Sequence, residues 1–317
     1  MPANSEHILI IRHGAFGDLV QSDGAFRDIR DHHPDAEISL LTTPPFVKLM
    51  ARCPHIDRVE VDPRAPLWRI DLLLALRGTL RARNFSRVYD LQLSDRTSLY
   101  RRLLLNGIPW AGRDRRAFPL VGKQWLPPPG LERYAGVLQS AGVGLRHTLA
   151  PDVSWMADDM TDVLASEGVR KPFIALIPGC SAKHPRKRWP YYPELAARLL
   201  ERGYDVVTAP GPDELELAAT IPGHRLLGPR GFLNWFELAG VLQQADFVVG
   251  NDTGPSHIAA CLNRPGLALF GPHTSAERTG IRREHFGAIE VPDLKELSVE
   301  QVLGEVLHRL EAHSNSV

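Results

Sequence analysis

ILIIRHGAFGDLVQS spans residues 8–22, and the way it divides decides the fold. Ile8 to Ile11 is a short apolar run, rich in β-branched side chains, of the kind that forms a buried strand. Gly14 and Gly17 then allow a tight turn and close backbone approach, and the stretch from Asp18 to His33 reads as a helix. Strand, glycine turn and helix make the opening of an α/β domain. Two residues around the turn have the chemistry to act on a substrate, His13 and Asp18.

The same alternation continues outward. Strands are expected at 8–12, 36–42, 58–61 and 87–92, with a short helix after Pro44-Pro45 and a long one over 67–84 whose arginines 69, 77, 81 and 83 lie on or near the face opposite its apolar positions. Residues 119–130, PLVGKQWLPPPG, read as a loop because proline removes donors and fixes φ. A helix through LERYAGVLQSAG follows, and 143–155 reads as a linker. Beyond it come strands at 173–179, 204–211, 246–251 and 266–271, helices at 190–202, 212–220, 234–245 and 255–262, and a closing amphipathic helix. The expected architecture is α/β, with two Rossmann-like doubly wound parallel-sheet domains, 1–150 and 151–317, facing a cleft. In such folds ligands sit at the carboxyl ends of the strands.

Composition narrows the function. A chain of 317 residues is sufficient for two domains. No apolar run approaches the roughly 20 residues of a membrane span, and the first residues lack the pattern of a signal peptide, so the cytoplasm is the expected compartment. Cys53, Cys180 and Cys261 lack metal or disulfide spacing and read as buried hydrophobes. Net charge is zero, yet residues 1–150 hold 21 Lys and Arg against 15 acids (+6), and residues 151–317 hold 16 against 22 (−6). Twelve arginines and four acids lie between Arg64 and Arg116. A basic half fits an anionic partner, a phosphorylated glycolipid or an acidic membrane surface. Aromatic residues are not interleaved with the arginines, which argues against nucleic acid.

Three stretches carry candidate chemistry. In Gly14-x-x-Gly17-Asp18, Asp18 is either a functional carboxylate or the cap of its helix, and the spacing is not the Gly-x-Gly-x-x-Gly of dinucleotide sites. PGCSAKHPRKRWP, residues 178–190, follows a strand and precedes a helix, so its basic residues can reach phosphate held at a helix start. VVGNDTGPSHIAACL, residues 248–262, runs a strand through Asn251-Asp252-Thr253-Gly254-Pro255 into a helix, a compact cradle for a diphosphate. There Asp252 would repel phosphate directly and fits sugar hydroxyls or a helix cap better, while His257 either donates to phosphate or packs.

In this order the three stretches resemble the heptosyltransferase family of inverting GT-B glycosyltransferases, family 9, over nearly the whole chain. The resemblance rests on Arg12 with Gly14 to Asp18, Pro178-Gly179, Lys187-Arg188-Trp189-Pro190, Gly211-Pro212-Asp213-Glu214, Asn251 to His257, and Phe270-Gly271-Pro272. It implies transfer of heptose from ADP-heptose to a sugar hydroxyl of the lipopolysaccharide inner core, with inversion. Asp18 would be the general base, with Arg12, Gly14 and Gly17 on the acceptor side in the first domain. Lys187 would neutralise the departing diphosphate. Gly179, Lys183, Arg188, Glu214, Asp252, Thr253, Gly254, Pro255 and His257 would bind the nucleotide sugar in the second, with Glu214 on the ribose. No cofactor and no metal are implied, and peripheral contact with the inner face of the cytoplasmic membrane fits the acceptor. Lys183, Arg186 and His184 crowd the loop before Lys187, so the catalytic-side lysine is either Lys183 or Lys187. The donor sugar is not encoded in these motifs, and another nucleotide sugar stays open. Arg12-His13-Gly14 also resembles the histidine phosphatases, although Ala15-Phe16 and Ile258 stand where that family has a hydroxyl residue and a glycine. A non-catalytic, glycolipid-binding relative is a third reading, against which Asp18 is retained.

Overall fold

The apolar runs become strands because they are buried on both faces. Residues 173–177, 247–251 and 266–270 are covered throughout, as strands must be in a parallel sheet with helices on either side. The computed structural model describes residues 6–114, 117–118, 120–121, 124–125, 128–181 and 184–314. The chain divides into two units, Met1–Pro151 and Asp152–Val317.

The first unit runs β1 (His7–Ile11), α1 (Phe16–Gln21), α2 (Asp23–His32), β2 (Glu37–Thr42), α3 (Val47–Met50), β3 (Arg58–Val61), α4 (Ile70–Arg81), β4 (Arg87–Asp90), α5 (Asp95–Leu103), β5 (Trp110–Ala111), β6 (Leu120–Val121), β7 (Gln124–Trp125) and α6 (Glu132–Ser140). Its main sheet is parallel, in the order β3-β2-β1-β4-β5. Leu9 and Ile11 pack with Leu76, Leu80, Tyr100 and Leu104. Alternation along the strand turns Ile8 and Ile10, also fully buried, to the opposite face.

The second unit runs α7 (Thr161–Ser166), β8 (Phe173–Ile177), α8 (Tyr192–Leu200), β9 (Asp205–Thr208), α9 (Leu215–Ala219), β10 (His224–Arg225), α10 (Trp235–Gln244), β11 (Phe247–Asn251), α11 (Gly254–Cys261), β12 (Gly266–Phe270), α12 (Ala276–Thr279), β13 (Phe286–Glu290) and α13 (Val299–Ser314). Its parallel sheet has the order β10-β9-β8-β11-β12-β13. Ile174, Leu176, Val249 and Leu267 pack against Trp189, Leu195 and Leu199 and against Val302 and Val306 of α13.

Both sheets are doubly wound, and in each the winding reverses beside the first strand: between β1 and β4, and between β8 and β11. Such a reversal leaves a crevice beyond the carboxyl ends of the two strands. The glycine turn follows β1, Pro178-Gly179 follows β8, and Asn251-Asp252 closes β11. All three motifs therefore stand at the reversals.

Several boundaries differ from the sequence reading. The helix expected over 18–33 begins at Phe16 and is two segments, joined at Ser22, whose Oγ donates to the Asp18 carbonyl 2.7 Å away. Serine back-bonding of this kind competes with the helical ladder and bends it. Residues 119–130 are not all loop: 120–121 pair antiparallel with 124–125 between the flanking prolines. The edge strands β5, β10 and β13 escape the alternation because two of them are only two residues long and the third fades into exposure at Glu290. The segment read as linker is fastened to α2. Asp28 accepts from the amides of Arg146, His147 and Thr148 and from the Thr148 hydroxyl.

Candidate functional site

In the first unit the site is built on Asp18. Helix α1 starts earlier than expected, with Ala15 at the cap, so Asp18 lies within the first turn and does not cap the helix. Its carboxylate is 35% exposed and held between two guanidiniums. Arg12 Nη2 is 3.1 Å from one oxygen, and Arg133 Nη2, from α6, is 2.6 Å from the other. Arg12 is itself buried, donating to the Leu91 carbonyl at 3.0 Å and lying over the Tyr134 ring. The Tyr134 hydroxyl contacts the Asp18 carbonyl at 3.3 Å. Gln92, just past β4, accepts from the His13 amide at 2.9 Å and so ties the two strand ends together across the reversal. Gly14 has φ +127°, and a Cβ there would come within 2.7 Å of the Phe46 ring, so only glycine fits this turn.

His13 points the other way. Its side chain is fully buried, with Nε2 2.9 Å from Asp62, which also accepts from Tyr100 at 2.7 Å. Burial opposes ionisation of Asp62, but the bonds from His13 and Tyr100 prevail and hold its carboxyl below the usual range. An imidazole locked onto a buried carboxylate cannot approach a phosphorus atom in line, so the phosphatase reading of Arg12-His13-Gly14 is set aside. His13 is part of the core that shapes the turn.

In the second unit the site is built on Asp252. This buried carboxylate gathers three side chains: Lys187 Nζ at 2.6 Å, His273 Nε2 at 3.4 Å and His257 Nε2 at 3.5 Å. Burial pushes against its charge, yet the bonds from His257 and Lys187 hold its carboxyl well below the usual carboxylate range. Asp252 is therefore an anchor for Lys187 and two imidazoles and not the cap of α11; the residue at the cap is Thr253, which makes no side-chain cap bond. Lys187 ends a single 3-10 turn, Pro185–Lys187. Asn251, fully buried, positions both loops: its Nδ2 donates to the carbonyls of Pro178 and Gly179, and its Oδ1 accepts from the Trp189 amide and the Tyr192 hydroxyl. The Ser256 hydroxyl returns to the Asn251 carbonyl at 2.6 Å. The first amides of α11 have no partners within the helix, and His257 Nδ1 is buried without a hydrogen-bond partner among the described residues. At the end of β8, a Cβ on Gly179 would fall 1.7 Å from the Glu214 carboxylate, so Glu214 lies directly on this loop; its Oε2 accepts from the Gly211 amide. The arrangement gathers a lysine, two imidazoles and a helix start around one anchored point, groups whose chemistry can accept an anion such as phosphate.

The family model for glycosyltransferase family 9 (heptosyltransferase) matches residues 73–303. The chain belongs to this family. It is a glycosyltransferase. It is 28% identical over 293 residues to lipopolysaccharide heptosyltransferase 2 of Escherichia coli K12, covering 84% of this chain and 82% of that protein. Its fold is that of E. coli ADP-heptose lps heptosyltransferase II, with a TM-score of 0.72 at 22% identity over 97% of this chain and 99% of that one. It is also like the E. coli heptosyltransferase WaaC with ADP-2-deoxy-2-fluoro heptose, with a TM-score of 0.69 at 18% identity over 95% and 99%. At these identities the two structures speak for the fold alone.

Among the residues expected to serve this family-9 glycosyltransferase, Arg12, Gly14, Gly17 and Asp18 come together in the first unit. Lys187, Asp252 and His257 come together in the second, at the end of α11 that Thr253, Gly254 and Pro255 form, and Gly179 meets Glu214. Arg188 is exposed; its amide donates to the Pro185 carbonyl at 3.1 Å, and its guanidinium makes no hydrogen bond or ion pair among the described residues. Lys183 lies outside the described residues. The sequence reading passed over Arg133, Tyr134, Gln92 and His273. Arg133 stands 115 residues from Asp18, and no local pattern joins them. His273 directly follows the Phe270-Gly271-Pro272 motif, and that adjacency was a usable signal.

Proposed function

We propose that this family-9 glycosyltransferase moves heptose from ADP-heptose to a sugar hydroxyl of the lipopolysaccharide inner core, with inversion at the anomeric carbon. The observation that carries the reading is the anchored group of Lys187, His257 and His273 on Asp252 at the start of α11. Relatives named as lipopolysaccharide heptosyltransferases support the choice of sugar and acceptor. A heptosyltransferase structure described with an ADP-heptose analogue supports the nucleotide.

In this reading the acceptor oxygen attacks the anomeric carbon as the bond to the diphosphate breaks. The acceptor proton passes to Asp18, and the leaving electron pair stays on ADP. Arg12 and Arg133 orient the Asp18 carboxylate, while lone pairs remain on its oxygens for the proton. Lys187, His257 and the free amides of α11 take up the charge that develops on the diphosphate. Glu214, with Gly179 opened beneath it, accepts from the ribose hydroxyls. With that charge met by side chains, the reaction needs no metal. One acidic and imidazole group comes together elsewhere among the described residues, Asp28, Asp31 and His147, and there Asp28 is already committed to backbone amides. No described helix is long and apolar enough to cross a membrane. The enzyme acts from the cytoplasm, at the membrane face where its acceptor is anchored.

The test is release of free nucleotide from ADP-, UDP- and GDP-sugars in the presence of a delipidated, truncated core saccharide. Acceptor-dependent ADP release from ADP-heptose is expected to exceed the others by at least about a hundredfold. Faster turnover of a UDP- or GDP-sugar would overturn the donor assignment. No acceptor-dependent release from any donor would favour the glycolipid-binding relative.

A further inference from the structure

An amphipathic helix inside a domain normally spends its apolar stripe on the core. Helix α4 does not. It buries Leu76 and Leu80, with Leu73 half-buried, and leaves the rest of its apolar side chains in solvent. Ile70 is 65% exposed and Leu74, one turn on, 57%; in the turn leading into the helix Trp68 is 75% exposed and Leu67 44%. No other segment among the described residues brings four such side chains together. An apolar ridge of this kind on a protein surface marks an interaction site.

The charge around the ridge selects its partner. Residues 63–86 contain five arginines and one acid, Asp71, which is paired with Arg69. Arg83 is paired with Glu60. The guanidiniums of Arg64, Arg77 and Arg81 have no carboxylate partner among the described residues, and that of Arg81 donates to the Leu104 and Asn106 carbonyls, which fixes its position without cancelling its charge. A second copy of this chain docked by two-fold symmetry would set these arginines against their own equivalents, which charge repulsion disfavours. A sheet of anionic headgroups over an apolar interior satisfies both features at once.

We propose that the exposed side of α4, with Leu67 and Trp68, is a docking surface for an anionic lipid bilayer. Trp68, Ile70 and Leu74 enter the boundary between headgroups and acyl chains, where an indole with one polar edge is well placed, and Arg64, Arg77 and Arg81 meet the headgroup phosphates. The helix lies on the membrane and does not span it; its 12 residues are too few. The surface deepens the proposed function, because the first unit, which we assign to the acceptor, is then held where a lipid-anchored acceptor lies.

The test uses the full chain and two variants, Trp68→Ser/Ile70→Ser/Leu74→Ser and Arg64→Gln/Arg77→Gln, in co-sedimentation with vesicles of phosphatidylglycerol and phosphatidylethanolamine or of phosphatidylcholine alone. Both sets of residues lie at the surface, so melting temperature and ADP release with the delipidated saccharide are expected to match the wild type. The wild type is expected to bind anionic vesicles at least about tenfold more tightly than neutral ones and to release them at high salt. The apolar variant is expected to lose at least about tenfold in vesicle affinity at low salt, and the arginine variant to lose the preference for anionic lipid. Equal binding of the wild type to both vesicle types, or to neither, overturns the proposal, as does an apolar variant that sediments like the wild type. A wild-type dimer that the apolar variant dissociates, without vesicle binding, would assign the ridge to a second copy instead. Vesicle binding is read without any sugar donor, so failure of the glycosyl-transfer reading leaves this result standing on its own.

Discussion

Lys187→Ala separates the two tasks of the Asp252 cluster. The Lys187–Asp252 contact is 2.6 Å long and largely covered, with the lysine side chain a quarter exposed. At an effective dielectric of about 20, charges at that distance attract by about 6 kcal/mol. Desolvation of both groups offsets much of this, but deleting the lysine alone leaves a buried carboxylate without its closest cation, at a cost of about 2–4 kcal/mol of stability. Removing the charge as well, in Lys187→Ala/Asp252→Asn, abolishes the orphan and is expected to restore most of that stability. ADP affinity behaves differently. It is expected to fall by about 30-fold or more in both the single and the double variant, because the cation for the diphosphate is gone in each. Urea unfolding and calorimetric titration with ADP measure the two quantities on the same samples. If the double variant is as unstable as the sum of the single ones, the pair is not coupled as the geometry requires. If it regains ADP affinity, Lys187 does not serve the diphosphate.

Asp18→Asn is expected to lower turnover by about two to four powers of ten while ADP affinity stays unchanged, since the carboxylate and the cluster on Asp252 belong to different units; unaltered turnover in single-cycle kinetics would remove Asp18 as the base. Gly179→Ala puts a methyl group where the Glu214 carboxylate lies, so titration is expected to show a loss of ADP affinity at least as large as in Glu214→Gln, with the melting temperature nearly kept; an alanine variant that binds like the wild type would detach Glu214 from the nucleotide. His55 is lowered to about 4 by burial and by Arg27. The folded state therefore holds it neutral while the unfolded chain protonates near its ordinary value, and the stability it supports is present above about pH 6.5 and lost as pH falls toward 4. At pH 4.5 the loss is about 2–3 kcal/mol relative to pH 7, and His55→Gln is expected to remove that part of the pH dependence of urea unfolding; an unchanged slope would refute it.

Local pattern carried most of the fold. A parallel strand is buried on both faces and must be apolar without interruption, so β1, β2, β8, β11 and β12 announce themselves in the chain. The turns after β1, β8 and β11 were equally legible, because each is a contiguous string whose residues serve one strand end. What the string could not carry was the meeting of distant elements. That His13 turns into the core depends on Asp62 and Tyr100, which draw the histidine inward, and the surroundings of Asp18 depend on Arg133, which reaches it from α6. Whether Asp252 caps a helix or anchors a lysine and an imidazole depends on Lys187 and His273, brought to it from two other loops. Helix α4 shows the same limit. Its periodicity announced a helix with an apolar side, but the sheet and α5 cover only Leu76, Leu80 and half of Leu73. Spacing along a chain determines which side chains share a face; how much of that face is covered is decided by the surface it packs against, and that surface is made of residues far away in sequence.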